Sequence, residues 1–281
     1  MTEGQASIEA AGQRGHNLLL RIVASLVMAP LAIAMAYAGG WLWTGLVTVA
    51  AIGLYAEWLA VIGARNLLLL WLGALVLLGA GWVEIERFNA VGISAVVVAG
   101  VIVAAILSRD RRGWAVLGIG YALAASIASC LVRRDPAAGF TALMLVLLVV
   151  WATDIGGYFA GRLIGGPKLW PKVSPKKTWA GAIGGFVASL AVAAGFAAFD
   201  FGKAIPLLLL AAGLSIAAQL GDLFESAIKR RFGVKDSSHI IPGHGGLMDR
   251  LDGFVAAIVL AAIFGLLRGG ADGVGHGLVV W

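Results

Sequence analysis

The sequence predicts an all-α polytopic membrane protein with about nine transmembrane helices. Hydrophobic residues make up 60% of the 281-residue chain and charged residues only 13%, whereas about a quarter of a soluble domain is charged. Apolar runs of roughly 17–25 residues, long enough to cross a bilayer, recur along the chain. The single Cys130 excludes a disulfide framework. We expect no nucleic-acid partner, because basic cytoplasmic loops account for the net charge of +6.

Nine apolar spans are predicted in order along the chain. They are residues 18–38, 41–62, 66–83, 88–107, 114–132, 138–160, 181–199, 204–224 and 253–268. The stretch Ile22–Ala56 carries no charge and is too long for one helix, so Gly39-Gly40 is the natural break within it. Residues 1–17 form a polar tail. A signal peptide is the competing interpretation of the first span, but the topology below needs that span.

The distribution of basic residues predicts the orientation of the chain. With nine spans, sixteen of the 21 Lys and Arg fall in the N-terminal tail and in the loops after the second, fourth, sixth and eighth spans. Since Lys and Arg accumulate in cytoplasmic loops, we predict a cytoplasmic N-terminus and a C-terminus outside. The two longest polar segments, residues 161–180 and 225–252, then lie on the same cytoplasmic side and can form one site.

The first polar segment follows the sixth span. Asp154 lies about two turns inside the end of that span, where a carboxylate is costly and is normally paired or functional. A structural ion pair with Arg162, eight residues further on, or with a neighbouring helix is the alternative. Four lysines and three prolines follow: Lys168, Lys172, Lys176, Lys177, Pro167, Pro171 and Pro175. The prolines stiffen the loop and prevent the helix from continuing, which anchoring at a lipid surface would not require.

The second polar segment begins on the end of the eighth span. Three charged side chains there share one helix face, at spacings of three and four: Asp222, Glu225 and Lys229. The stretch "PGHGG", residues 242–246, leaves backbone N–H groups unshielded and could form an anion-binding nest, although such a stretch is more often only a turn. Asp249 and Asp252 follow at the start of the ninth span, three residues apart.

The acidic residues concentrate in these two segments. Six of the 15 lie in or beside them: Asp154, Asp222, Glu225, Asp236, Asp249 and Asp252. Carboxylates mixed with many Lys and Arg suit a polyphosphate with a divalent metal, because Asp oxygens hold Mg²⁺ and basic side chains neutralise phosphate. A zinc site is excluded, since His16 is in the tail and His276 on the far side, which leaves only His239 and His244.

The stretch "SAIKRRFGVKDSSHIIPGHGGLMDRLD", Ser226–Asp252, resembles the signature of the CDP-diacylglycerol synthase (phosphatidate cytidylyltransferase) family. The Ser, Lys-Arg, Lys-Asp, His-Gly-Gly and Asp-Arg-x-Asp elements are all present. The upstream "SPKKTWAG", residues 174–181, is also similar to the family pattern, except that Ala180 stands where that pattern suggests Glu. The resemblance covers the chain from about Trp151 onward.

The resemblance implies an activity. In it, phosphatidate attacks the α-phosphorus of CTP and gives CDP-diacylglycerol and pyrophosphate, a step of phospholipid biosynthesis. The resemblance also implies dependence on Mg²⁺, with a second, monovalent cation left open, and a homodimer. The expected partners are CTP, phosphatidate and membrane lipid. Residues 18–137 would form an N-terminal membrane region and residues 138–281 the catalytic one, in a bacterial-type inner (plasma) membrane with the active site facing the cytoplasm.

The expected roles of individual residues follow from both lines of reasoning. Asp222 and Asp249 are expected to bind the metal, as the resemblance also implies, with Asp154 and Asp252 as second candidates for the metal or for orienting a basic side chain. The predicted catalytic residues are Asp222, Asp249, Lys229, Arg230 and His244. The predicted substrate-binding residues are Ser174, Lys176, Lys177, Thr178, Ser226, Lys235, Asp236, Gly245, Gly246 and Arg250. Gly245 and Gly246 would let the backbone approach the triphosphate, and His244 is a candidate phosphate donor, with helix capping or packing as its alternative.

Three other functions remain open from the sequence. A CTP-dependent kinase of a polyprenol or phytol would transfer the γ-phosphoryl group instead. An ion transporter could use Asp154 and Asp222 as intramembrane cation sites, although transporters often contain internal repeats and none is visible here. A non-catalytic scaffold would leave the clustered acids unexplained.

Overall fold

The computed structural model describes residues 28–64, 66–85, 90–238 and 245–281. Ten helices and one short hairpin occur in these ranges. They are α1 (Met28–Ala38), α2 (Gly40–Val61), α3 (Leu67–Ile85), α4 (Ala90–Leu107), α5 (Arg112–Arg134), α6 (Gly139–Leu163), β1 (Lys168–Trp170), β2 (Ser174–Thr178), α7 (Trp179–Ala198), α8 (Ala204–Arg231), α9 (Met248–Gly269) and α10 (Val274–Val279). Eight of the helices, α2–α9, are long and apolar enough to cross a membrane. The prediction of an all-α polytopic membrane protein is confirmed.

The helices agree with the predicted spans, with differences at their ends. The second to ninth predicted spans correspond to α2–α9, and the described part of the first is α1. The predicted break is confirmed, because Gly39 lies between α1 and α2 with φ +67°, a conformation that favours glycine. Helix α8 continues to Arg231 and α9 begins at Met248, so the polar residues flanking the last loop are helical. Hydropathy ends a span at its first charges, whereas basic side chains in a last turn stabilise a helix.

The loops after α2, α4, α6 and α8 lie at one end of the helix bundle, which we call the site end. The Arg111 guanidinium donates to the Ile62 carbonyl and lies 5.3 Å from the centre of the Phe232 ring, which joins three of these loops. Lys177 of β2 forms an ion pair with Asp222 of α8, which joins the fourth. The prediction that the two long polar segments share one side is therefore confirmed.

The opposite end of the bundle carries the C-terminus. Asp135, after α5, accepts a hydrogen bond from the His276 backbone N–H at 2.6 Å. Arg133 donates to the carbonyl of Tyr37, in the last turn of α1, at 2.9 Å. Thus α10 and His276 lie far from the site end, as predicted. Which end faces the cytoplasm stays a prediction.

Helices α6 and α7 approach each other closely through glycines. A Cβ atom on Gly181 would lie 2.8 Å from the Gly157 carbonyl oxygen, and one on Gly184 would overlap the Ala160 side chain. Small residues allow such close approach of helices in membranes. The close packing holds the hairpin and the start of α7 beside the end of α6.

The packing also joins the two predicted membrane regions. Ile228, Met248 and Val255, from α8 and α9, are buried in a core that consists mainly of residues from α2–α5. Trp58 of α2 is 1% exposed, and its indole N–H donates to the Trp114 carbonyl at 2.9 Å. The ends of α8 and α9 at the site end are therefore held by the N-terminal helices.

Candidate active site

The two predicted polar segments meet at the site end, on the ends of four helices and one hairpin. The last turns of α6 and α8, the first turns of α7 and α9, and β2 supply the polar groups. The hairpin is antiparallel, with Lys168 opposite Thr178 and Trp170 opposite Ser174. Because neighbouring strand residues point to opposite sides, Lys177 turns toward α8 while Lys176 is exposed.

Asp249 is held by groups from both sides of the loop between α8 and α9. Its Oδ1 accepts the Lys229 ammonium. Its Oδ2 accepts the Ser237 N–H, the Ser237 hydroxyl and the Gly246 N–H, each at 3.1 Å. Lys229 also lies 3.2 Å from Glu225 Oε1. Both oxygens of Asp249 are thus engaged, and a cation could bind them only in exchange for these partners.

Asp222 joins the first polar segment to the second. Its Oδ2 pairs with Lys177, and its Oδ1 accepts the Ser226 hydroxyl at 3.4 Å. Ser226, predicted to bind substrate, here donates to a carboxylate one turn away on the same helix. Asp222 is partly exposed, and its partners are fewer than those of Asp249, so it is the more accessible carboxylate.

Asp154 of α6, Asp222 of α8 and Asp252 of α9 lie toward the site end of their helices. The alternative of an Asp154–Arg162 ion pair is not supported. Arg162 donates to the Tyr158 hydroxyl at 2.8 Å, and within the described ranges no salt bridge links it to Asp154. Several carboxylates with few cations favour the binding of a further positive charge.

This set of carboxylates has the right ligand chemistry for Mg²⁺ but does not form a complete cage. In the described parts of the chain, no group of three or more His, Cys, Asp or Glu side chains could by itself hold a metal ion. Mg²⁺ usually keeps several waters and takes only one or two carboxylates plus substrate phosphates. The carboxylates of Asp154, Asp222 and Asp252 fit that requirement in chemical type.

Several predicted catalytic and substrate-binding side chains are exposed around these acids. Those with exposed surfaces are Lys176, Arg230, Lys235, Asp236 and Arg250, and Ser174 is half-buried. Arg230 donates to the Val234 carbonyl at 3.3 Å. The basic members of this set, together with the exposed Lys168 and Lys172 on the hairpin, make the site end strongly basic.

Two residues predicted to bind substrate are engaged within the protein, and a third has a backbone conformation that favours glycine. Thr178 caps α7: its hydroxyl accepts the Gly181 N–H at 3.1 Å, and the residue is 5% exposed. Gly246 is buried, its N–H serves Asp249, and a Cβ there would overlap the Ser237 hydroxyl. The Gly246 N–H is thus engaged by Asp249 in this arrangement, and its predicted approach to a triphosphate stays a prediction. Gly245 has a φ of +82°, a conformation that favours glycine.

His244 and Ala180 are two further positions that the sequence singled out. His244, predicted as a phosphate donor, lies outside the described residues, as does His239. Ala180 lies in the first turn of α7, so that position supplies no carboxylate.

Glu57 of α2 is a site residue that the sequence reasoning missed. It is 1% exposed and accepts hydrogen bonds from Ser237, Ser238, Leu247 and Met248. A signal was present, because Glu57 is a lone acid inside the second span, and such residues are costly and normally functional or paired.

Comparison with known proteins identifies the family of this chain. A family model described as the cytidylyltransferase family matches residues 19–267. A protein of Brucella suis biovar 1 named phosphatidate cytidylyltransferase is 38% identical over 263 residues, which cover 89% of this chain and 94% of the relative.

Two relatives with the same name match a shorter part of the chain with a higher identity. The protein of Staphylococcus haemolyticus is 52% identical over 127 residues, 44% of this chain and 49% of the relative. That of Bacillus subtilis is 46% identical over 122 residues, 42% of this chain and 44% of the relative. The family match spans most of the helix bundle, including both polar segments, and the chain therefore belongs to the cytidylyltransferase family of nucleotidyltransferases.

Proposed function

We propose that this protein is a phosphatidate cytidylyltransferase that makes CDP-diacylglycerol and pyrophosphate from CTP and phosphatidate. The observation that carries the proposal is the meeting of the Lys177–Asp222 and Lys229–Asp249 pairs at one end of an otherwise apolar bundle. The names of the relatives support the choice of substrates. A lipid substrate also fits a site formed on the ends of membrane-spanning helices.

The reaction requires mainly that the two substrates are positioned and that their negative charges are neutralised. A phosphate oxygen of phosphatidate bonds to the α-phosphorus of CTP, and the bond from that phosphorus to the bridging oxygen of pyrophosphate breaks, so pyrophosphate leaves with the electron pair. The nucleophile is already an anion and needs little help from a base. Aligned cations that stabilise the transferring group therefore supply most of the catalysis.

The basic side chains at the site end can provide that neutralisation. Lys176, Arg230 and Lys235 are exposed and can reach phosphate oxygens. Lys177 and Lys229 are now paired with carboxylates. A charge-assisted bond to phosphate is as favourable to an ammonium as one to carboxylate, so these lysines can exchange partners when the substrates bind.

Mg²⁺ is part of the proposal. Asp222 and Asp249 would hold it, with Asp154 and Asp252 as further candidates, and a second, monovalent cation remains open. Bound Mg²⁺ would neutralise charge on the triphosphate. The contribution of the chain is to hold the carboxylates at the membrane edge, with Ser226 orienting Asp222 and the loop N–H groups orienting Asp249.

The proposal also covers the side of the membrane that the site faces, the route by which phosphatidate arrives and the oligomeric state. CTP reaches the site from the cytoplasm, so the basic site end faces that side, in keeping with the distribution of Lys and Arg. Phosphatidate arrives from the membrane beside α6, where Ile155, Tyr158 and Phe159 are 59%, 58% and 56% exposed and would contact lipid. A homodimer, implied by the family resemblance, stays a prediction.

Labelled CTP tests the reaction directly. The detergent-solubilised protein is supplied with phosphatidate, Mg²⁺ and CTP labelled at either the α- or the γ-phosphorus, with ATP and GTP as controls. The proposal predicts that the α label enters the lipid and the γ label leaves in pyrophosphate. Transfer of the γ label to lipid, with release of CDP, would identify a CTP-dependent lipid kinase instead.

A further inference from the structure

Glu57 lies outside the part of the chain in which the sequence reasoning placed the site. It is on α2, one turn before the helix ends at Val61, and so at the site end. Its side chain is 1% exposed. An ionised carboxylate at such a position is costly unless hydrogen bonds replace its hydration.

Four donors replace that hydration, and all come from one segment. Oε1 accepts the Ser238 hydroxyl at 2.5 Å and the Leu247 N–H at 2.8 Å. Oε2 accepts the Ser237 hydroxyl at 2.8 Å and the Met248 N–H at 2.7 Å. In the described parts of the chain, no Lys or Arg forms a salt bridge with Glu57. The hydrogen bonds of the Glu57 carboxylate therefore all come from residues at the two ends of the loop between α8 and α9.

The two backbone donors are the N-terminal amides of α9. The first N–H groups of a helix have no partner within the helix, and the helix dipole favours an anion there. Glu57 thus acts as the capping carboxylate of α9 although it belongs to α2. The capped turn carries Asp249 at its next position.

Glu57 and Asp249 hold the same segment from two sides. The Ser237 hydroxyl lies 2.8 Å from Glu57 Oε2 and 3.1 Å from Asp249 Oδ2, and its single proton can serve only one of them at a time. The Ser237 and Gly246 N–H groups complete the Asp249 side. A shift of this segment on the Glu57 side therefore moves the groups that orient Asp249.

We propose that Glu57 is a positioning residue for nucleotidyl transfer: by fixing Ser237, Ser238 and the first turn of α9, it holds Asp249 in its reactive orientation. The inference rests on the proposed function. It assigns to an N-terminal helix a part in the chemistry beyond packing.

Glu57→Gln is the diagnostic change, because it keeps the shape of the side chain. Whichever way the amide is oriented, its NH₂ group faces the N–H of Leu247 or Met248, so a donor meets a donor. Glu84→Gln is the matched control. Glu84 is the other buried glutamate of the described N-terminal helices, is 8% exposed, and lies in the last turn of α3, at the opposite end of the bundle.

The expected results separate positioning from general stability. We expect Glu57→Gln to lower kcat by about tenfold or more, since misplacement by roughly 1 Å can cost about 100-fold, with KM for CTP changed less than about threefold. Amide hydrogen exchange should accelerate at Gly246, Leu247 and Met248. Glu84→Gln should match the wild type in both measurements. kcat is expressed per folded molecule, measured by size exclusion and thermal unfolding.

A milder pair of variants covers the case in which Glu57→Gln does not fold. Ser238→Ala removes one donor to Glu57, whereas Ser129→Ala removes a buried hydroxyl bonded to Ala125 at the opposite end. We expect Ser238→Ala to lower kcat more than Ser129→Ala does. Equal effects of the two serine variants would overturn the inference.

Two other outcomes would also overturn it. One is an unchanged kcat in Glu57→Gln despite faster exchange at the three amides, and the other is unchanged exchange. Failure of the proposed function looks different, because the wild type itself would then make no CDP-diacylglycerol. The exchange measurement would still test the contacts of Glu57 in that case.

Discussion

Lys229 near the end of α8 forms an ion pair with Asp249 in the first turn of α9, across the loop that carries the family signature. Lys229 also lies 3.2 Å from Glu225. Lys229 is 8% exposed, so its single ammonium neutralises two largely buried carboxylates, those of Asp249 and Glu225. This relationship fixes how the ends of α8 and α9 meet, and it makes the loop sensitive to the loss of one charge.

Lys229→Met should therefore destabilise the protein strongly. Removing one partner of a buried ion pair leaves an uncompensated charge, which costs about 3–5 kcal/mol of unfolding free energy. Lys203→Met, at the exposed start of the same helix, should change it by less than about 0.5 kcal/mol. Denaturant unfolding in detergent measures both, and a Lys229→Met protein as stable as the control would contradict the pairing.

Asp222→Asn should weaken the use of Mg²⁺. Loss of one anionic ligand should raise the Mg²⁺ concentration for half-maximal activity and lower the rate at saturation by about 100-fold, the effect of removing one well-placed electrostatic group. Direct titration of Mg²⁺ binding should show the same loss of affinity. Asp110→Asn, an exposed acid in the loop after α4, is the control, and an equal Mg²⁺ requirement in the two variants would remove Asp222 from the metal site.

Gly246→Ala should disturb the loop by steric overlap. The new methyl group would collide with the Ser237 hydroxyl and lie 2.6 Å from Glu57 Oε2. Overpacking of this kind costs about 1–3 kcal/mol, and activity should fall with it. Gly113→Ala, at a helical position with nothing within 4 Å of the new carbon, should be neutral or slightly stabilising. Wild-type activity and stability in Gly246→Ala would show that the loop is packed differently.

The exposed lysines should affect binding of CTP more than turnover. Lys176→Met and Lys235→Met should each raise KM for CTP about fivefold, because an exposed ion pair contributes up to about 1 kcal/mol, while kcat stays near its normal value. Steady-state kinetics at several salt concentrations checks this, since the difference from wild type should shrink as salt increases. An unchanged KM in both variants would exclude the two lysines from the nucleotide site.

Much of the architecture could be predicted from the sequence, because uninterrupted apolar runs of bilayer length specify membrane helices. The position of Gly39 marked the break between α1 and α2, and loop parity predicted that the polar segments share one end of the bundle. The pairing of Lys177 with Asp222 confirms that inference. The inference from loop parity depends on the number of spans and not on any local motif.

Other features could not be predicted because their signals are local or hidden by burial. The hairpin β1–β2 consists of three and five residues rich in Lys and Pro and lacks the alternation of apolar and polar residues that identifies a strand. The extension of α8 to Arg231 could not be predicted because the charged residues in its last turns interrupt the apolar pattern. Thr178 could have been recognised as a helix cap from its place just before α7, and Glu57 from its isolation in an apolar span.

The most direct test of whether the two polar segments form one catalytic site is the kcat/KM of Asp222→Asn, Asp249→Asn and the double variant, with the α label of CTP followed into lipid. Residues that act as a unit give losses that do not multiply. We expect the double variant to lose about as much activity as the more damaged single variant. Losses that multiply, as for two independent sites, would contradict a single site built by Asp222 and Asp249.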